Sequence, residues 1–302
     1  MTLLDRTIVR LLPAVPKPVV QLFSSRYIAG PTLEDAVSTV RRLNNEGKLA
    51  TIDVLGEEIT SEDEARGIAQ AYRDVFAAIE REKLDSNVSV KLTALGLDLS
   101  YELCRDNMES VLREAAKNGN FVRIDMEDSS TTSETLRLYR ELRGLGFDNV
   151  GVVLQAYLRR TLDDIASLAD LTPNVRLCKG IYVEPPAIAY TDYDAVRASY
   201  VRALDALFEC GAYVGIATHD EWLIGQALSR VASMQPSDYE FQMLLGVREQ
   251  RASQLVAAGH RLRVYVPFGG HWYQYSLRRL QENPAMAGTI ARATVGRMLG
   301  RS

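Results

Sequence analysis

Cysteine is scarce. Cys104, Cys178 and Cys210 are the only three in 302 residues, and no two of them form a CxxC pair. That argues against a disulfide framework or a thiolate zinc site and fits a reducing, cytoplasmic compartment. Basic charge is not in excess either. Lysine and arginine number 35 against 39 acidic residues, a formal net charge of −4, which argues against a nucleic-acid binder that works by neutralising phosphates. No apolar run reaches the roughly 18 residues that a membrane-spanning helix needs. The GxGxxG fingerprint of a dinucleotide-binding sheet is also missing: the GLG at 144–146 follows a helical segment and has no third glycine.

What is present begins with an irregular first segment. Residues 1–30 mix leucine and valine with Arg6, Arg10 and Lys17 and are broken by Pro13, Pro16 and Pro18, too interrupted for a signal peptide. They read as an N-terminal helical arm, either packed on the domain or a surface-seeking segment that touches a membrane or a partner. Residues 31–302 show no composition break and read as one domain.

Within that domain one kind of unit recurs. Short β-branched runs at 49–55, 87–95, 121–127, 149–158, 174–182, 212–219, 239–245 and 260–268 read as strands, and charged segments such as 61–82, 132–145 and 194–210 carry helical periodicity. Glycine punctuates the return to the next strand in NEGKLA, KNGNFV, GLGFDN, ECGAYV and AAGHRL. Eight strands alternating with helices over about 250 residues is the length of a (βα)8 barrel of the TIM type. An open doubly wound sheet is the runner-up.

The strands carry a second signal. A barrel strand covered on both sides should be almost continuously apolar, yet these alternate. Val88, Val90 and Leu92 oppose Ser89, Lys91 and Thr93; Val122, Ile124 and Met126 oppose Arg123, Asp125 and Glu127. Asn174 and Arg176, Gln155, Thr218 and His219, and Arg263 and Tyr265 extend the polar set. If the apolar positions face the outer helices, the polar ones converge on the barrel axis, mostly toward the C-terminal mouth where barrel active sites are built. Each has a bland explanation: Lys91 as a snorkelling rim charge, Asp125 paired with Arg123, His219 as a core histidine, Gln155 bonded to backbone. Together they are harder to dismiss, because each buried ion costs several kcal/mol unless a ligand or mutual pairing compensates.

Cations and carboxylates without clustered histidines or thiolates suit a zwitterion such as an amino acid. The stretch WYQYSLRRLQEN at 272–283 places Tyr275, Arg278, Arg279 and Glu282 on one helical surface. Alone, Arg278 and Glu282 make an ordinary solvated i,i+4 pair. Beside the polar strand ends, the two arginines offer planar forks for a carboxylate and Glu282 faces an ammonium.

At these residues the sequence resembles the proline dehydrogenases. Their YxxRRxxE signature matches Tyr275 to Glu282, preceded by VYVPFG at 264–269, and VSVKLTALG, RIDMED, LQAYL, VRLCKGIY and ATHD follow the same pattern, from about residue 27 to the C-terminus. The resemblance is to the short, monofunctional bacterial type rather than the bifunctional fusion. It implies a distorted (βα)8 barrel carrying FAD non-covalently across its mouth. The implied reaction is oxidation of L-proline to Δ1-pyrroline-5-carboxylate, the first step of proline catabolism to glutamate, with electrons passed to a membrane quinone from a cytoplasmic or peripherally attached enzyme. Carried over by position, Lys91, Arg278 and Arg279 bind the substrate carboxylate, Glu282 shares that shell, and Tyr265 and Tyr275 pack around the ring. Asp125 and Arg176 take the catalytic positions. Met126, Gln155, Arg176, Lys179, Gly180, Ile181, Thr218 and His219 touch FAD, with Ile181, where relatives often have a small residue, contacting it through backbone. Two other readings remain open at this level: an aldolase-type lyase with Lys179 as the Schiff base, and an amino-acid-binding barrel without catalysis.

Overall fold

The computed structural model describes residues 26–56, 59–235, 238–270 and 272. Eight strands close into a barrel in sequence order: β1 (Leu49–Val54), β2 (Ser86–Val90), β3 (Val122–Ile124), β4 (Val150–Gln155), β5 (Asn174–Cys178), β6 (Tyr213–Ala217), β7 (Tyr239–Leu244) and β8 (Leu262–Phe268). All pairs are parallel, and β1 closes on β8 with Thr51 beside Tyr265 and Asp53 beside Pro267. The expected barrel is the observed one, and closure removes the open doubly wound alternative.

The helices are α1 (Leu33–Asn45), before β1, then α2 (Glu62–Glu82), α3 (Tyr101–Ala116), α4 (Thr132–Gly144), α5 (Thr161–Leu168), α6 (Tyr193–Glu209), α7 (Glu221–Met234) and α8 (Glu249–Ala257), one between each pair of successive strands. Their starts are written locally. Thr32 with Asp35 and Ser61 with Glu64 form reciprocal capping boxes at α1 and α2, and Ser100, Asp192 and Asp220 cap α3, α6 and α7. Their ends match the glycine punctuation: Gly47, Gly119, Gly146, Gly211 and Gly259 all have φ between 64° and 89°.

The core lies between the barrel and the helices. Val88, Val90, Val122, Ile124, Val152, Val175, Leu177, Val214, Ile216, Phe241 and Val264 are buried there against helix residues such as Val40, Tyr72, Met108, Leu138, Tyr200 and Leu255. Each such side chain contributes about 1.5–3 kcal/mol on burial, so this outer layer drives closure, and the inward face of the strands can be polar. That inward face is Thr51, Asp53, Ser89, Arg123, Arg176, Glu240 and Gln242, all buried.

The sequence overextends several strands at their C-terminal ends. Pairing stops at Val90, Ile124 and Cys178 rather than at 95, 127 and 182, because the chain there turns into the mouth loops. Leu95 and Leu97 donate to the Leu92 carbonyl in one such turn. At the other boundary, Ala29 donates to the Pro267 carbonyl and Gly269 to that of Gly30. Most of the arm read at 1–30 lies outside the described residues.

Candidate active site

Six polar side chains, from β1, β2, β3, β5 and β8 or the residues just past them, meet at the mouth. Lys91, just past β2, donates to Asp53 Oδ2 of β1 at 2.9 Å and approaches the Tyr265 hydroxyl of β8 at 3.4 Å. Tyr265 donates to Asp125 Oδ2, just past β3, at 2.8 Å. Arg176 of β5 donates to Asp125 Oδ1 at 2.6 Å and to Ser89 Oγ at 3.0 Å, and its guanidinium lies 5.4 Å from the centroid of the Tyr265 ring. Lys91, Asp125, Arg176 and Tyr265, read separately from sequence, therefore form one network. Asp125 pairs with Arg176 and not with Arg123, which turns to the Val152 and Asn174 carbonyls at the opposite end of the barrel. Lys91 is buried and ion-paired, not a rim charge.

Three members of the interior were missed. Asp53 is fully buried, paired to Lys91 and also within 3.3 Å of the Tyr72 hydroxyl. Glu240 and Gln242 lie on β7 behind Arg176. The signal was available: Thr51 and Asp53 alternate with Ala50, Ile52 and Val54, and Glu240 and Gln242 with Phe241 and Met243. The period-2 argument applied to β2, β3 and β8 reaches them equally well.

A second arc runs along the ends of β3 to β6. Met126, Gln155 and Thr218 are buried there. Gln155 Nε2 donates to the Glu127 carbonyl at 2.7 Å, and Thr218 Oγ1 accepts from the Asp220 amide at 3.1 Å. His219 Nε2 accepts from the Leu244 amide at 2.9 Å, which fixes a neutral ring with its proton on Nδ1. Ile181 is 43% exposed. Lys179 lies 3.6 Å from Asp220 Oδ2 and 5.2 Å from the Tyr193 ring centroid.

Asp220 organises the outer part of this arc. It caps α7 through the Trp222 amide and accepts from Arg197 Nη2 at 2.8 Å and Tyr193 Oη at 2.7 Å. Burial works to raise its pKa, but hydrogen bonds from Arg197 and Tyr193 and the Lys179 charge outweigh it and hold the carboxyl well below the usual range. A group with a depressed pKa stabilises the fold only while ionised. Asp220→Ala is accordingly expected to lose about 1–3 kcal/mol near neutral pH. The gap to wild type should close below about pH 4, as the unfolded-state carboxyl and then the folded one protonate. Urea unfolding near neutrality and at about pH 3 checks this; a constant gap would remove the charge from the explanation.

Gly180 is required by geometry. Its φ is +101°, and a Cβ there would sit 2.1 Å from Tyr157 Cδ1, a ring buried beside Leu158 and Ala189. Gly180→Ala should cost about 2–4 kcal/mol from strain and overpacking and make the 179–192 segment newly sensitive to limited proteolysis. A cleavage pattern and urea midpoint matching wild type would contradict it.

Arg278, Arg279, Glu282 and Tyr275 lie outside the described residues. Among the described residues no cluster of His, Cys, Asp or Glu is suited to hold a metal ion, and no helix is long and apolar enough to cross a membrane.

A closed parallel barrel with a network of ionisable groups at the C-terminal ends of its strands is the architecture of a (βα)8-barrel enzyme. Sequence comparison gives the family: the proline dehydrogenase model matches residues 36–292. Proline dehydrogenase 1 of Bacillus subtilis is 42% identical over 272 residues, covering 89% of this chain and 90% of that one. The proline dehydrogenase of Deinococcus radiodurans is 36% identical, with 88% of each chain covered. In structure, proline utilization A (PutA) from Bdellovibrio bacteriovorus superposes with a TM-score of 0.80 at 27% identity, over 86% of this chain and 32% of that one. The chain belongs to the proline dehydrogenase family, oxidoreductases of proline metabolism.

Proposed function

We propose that the protein oxidises L-proline to Δ1-pyrroline-5-carboxylate with FAD held non-covalently at the barrel mouth. The observation that carries this reading is the joined network Lys91–Tyr265–Asp125–Arg176, which sets two cations, a carboxylate and an aromatic ring together at the C-terminal ends of the strands. The residues fit the cofactor in charge and lining: Arg176 and Lys179 supply positive charge beside the arc formed by Met126, Gln155, Thr218 and His219, of which Met126, Gln155 and Thr218 are buried. When bound, FAD supplies the hydride acceptor.

The protein's own part is positioning and charge. Lys91, with Arg278 and Arg279, fixes the proline carboxylate, while Glu282 shares that polar shell. Tyr265 and Tyr275 would pack around the proline ring and orient it. The ring nitrogen must lose its proton before or as hydride leaves, and Asp125 or Glu282, or a water held by one of them, would receive it. A membrane quinone is the proposed final electron acceptor, reached from the cytoplasmic side, with the first 30 residues as the candidate contact to the lipid surface.

Purified protein is expected to show the visible spectrum of a bound flavin, and anaerobic proline to bleach it. A flavin that proline leaves unbleached would support the binding barrel. A colourless protein whose Lys179 is trapped by borohydride would support the lyase. That second outcome sits poorly with Lys179 as found, because its Nζ lies 3.6 Å from Asp220 Oδ2 and 5.2 Å from the Tyr193 ring centroid and would have to leave both to reach a carbonyl substrate. Proline-dependent reduction of a soluble quinone analogue tests the acceptor.

A further inference from the structure

Behind the mouth, the barrel interior holds a second set of polar groups to which the proposed reaction assigns no role. Glu240 and Gln242 alternate on the inward face of β7 and are 1% and 6% exposed. Glu240 takes Arg263 Nε at 2.6 Å and Nη2 at 3.1 Å. Gln242 Nε2 donates to Glu240 Oε1 at 2.6 Å, while Gln242 Oε1 accepts from Arg176 Nε at 2.5 Å. A continuous chain therefore runs from Arg263 through Glu240, Gln242 and Arg176 to Asp125.

The orientation of the Gln242 amide in this chain is fixed. An ionised carboxylate only accepts and a guanidinium only donates. A flipped amide would set its NH2 against Arg176 Nε–H and its carbonyl against Glu240, losing both bonds and opposing like dipoles. Glu240 meets the condition. Burial works against its charge, but Arg263, with hydrogen bonds from Tyr213 and Gln242, outweighs burial and holds its pKa below the ordinary value.

Arg176 is consequently held at all three nitrogens, by Gln242 at Nε, Asp125 at Nη1 and Ser89 at Nη2. Because the guanidinium is a rigid planar fork, the partner of Nε decides where the two terminal nitrogens lie. The neighbouring strand leaves room for that partner: a Cβ on Gly215 of β6 would stand 2.5 Å from Gln242 Nε2 and 2.9 Å from its Cδ.

We propose that Gln242, braced by the Glu240–Arg263 pair and given room by Gly215, is the positioning residue that sets the Arg176 guanidinium against Asp125. The proposal rests on the reading of Arg176 as part of the catalytic mouth. Gln242 itself touches neither substrate nor cofactor in this scheme; it acts through Arg176.

The test is a double-mutant cycle with a readout that needs no turnover. Gln242→Met in the otherwise native enzyme should lower kcat/KM for proline about 10- to 100-fold, the range for removing a hydrogen bond to a charged group. In an Arg176→Met background the same change should add less than about twofold, because the group through which it acts is gone. Equal losses in both backgrounds would mean a merely structural role and overturn the proposal. On protein labelled with 15N-arginine and studied as purified, without substrate, the Nε–H resonance missing from Arg176→Met is that of Arg176. Its solvent exchange should be slow in wild type and accelerated in Gln242→Met. Gly215→Ala, which crowds Gln242 without removing a polar group, should accelerate it too and so provides a second route if Gln242→Met folds poorly. Unaltered exchange in the variants would overturn the proposal. The exchange result stands whether or not proline is the substrate, so failure of the functional reading and failure of this inference are distinguishable.

Discussion

Asp125→Ala is expected to lower kcat/KM for proline about 10³-fold, with folding retained well enough to measure it. The two Asp125 oxygens divide their partners: Oδ1 takes Arg176 from β5 and Oδ2 takes Tyr265 from β8. One carboxylate thereby ties together two strands on different sides of the mouth. Removing it strands the Arg176 cation at 7% exposure, and breaking a buried pair by deleting one partner costs about 3–5 kcal/mol. It also releases the Tyr265 hydroxyl, so the substrate loses both a charge pattern and a wall. Asp125→Asn separates these effects. The amide keeps the volume and one acceptor but presents an NH2 to the other donor, so a loss of about 10- to 100-fold is expected. Steady-state kinetics with far-UV circular dichroism on each variant is the measurement. An Asp125→Ala enzyme within about threefold of wild type would show that the network is only structural.

Tyr265 carries the second large effect, on which imino acid is accepted. A carboxylate clamp binds proline and trans-4-hydroxyproline alike, because both present the same zwitterion, so discrimination must come from the ring pocket. The Tyr265 phenol stands in the mouth, bonded to Asp125 at 2.8 Å and 3.4 Å from Lys91 Nζ, and it occupies the space proposed for a 4-hydroxyl group. Wild type should therefore oxidise proline far better than hydroxyproline. Tyr265→Ser should narrow that ratio by about tenfold or more, chiefly by damaging proline turnover while opening room for the hydroxyl. Tyr265→Phe keeps the wall and loses only the hydrogen bonds, so it should cost about 5- to 20-fold in kcat/KM and leave the ratio close to wild type. Comparing kcat/KM for both substrates across the three enzymes decides the question. A ratio unchanged in Tyr265→Ser would place specificity elsewhere in the mouth.

The fold was readable because its determinants are local. Strand, helix and turn each leave a period or a punctuation residue in the chain, and Gly47, Gly119 and Gly211 mark helix ends in sequence as they do in space. The polar inner face was readable for the same reason: side chains on a strand alternate, so Lys91, Asp125, Arg176 and Tyr265 could be assigned to one side of the sheet before any pairing was known. Where the reading faltered, the period was too short to see or was not applied. β3 has only three residues and β2 five, so their ends were overrun into the mouth loops, and Asp53, Glu240 and Gln242 were passed over on strands whose alternation was equally clear.

The sequence by itself determined an eight-strand barrel, its apolar outer layer and a set of charged groups turned inward. It also carries the double arginine at 278–279, which lies outside the described residues. Which of the inward groups meet was decided only by the tertiary structure. Asp125 meets Arg176 across 51 residues of chain and Tyr265 across 140, Lys91 meets Tyr265 across 174, and Arg176 meets Gln242 across 66. No local pattern encodes those distances. They are set by the register in which β1 closes on β8 and by the tilt that places residues of non-adjacent strands at one height in the interior. The same closure sent Arg123, one turn of the alternation before Asp125, to the opposite end of the barrel and to carbonyl partners instead of a carboxylate.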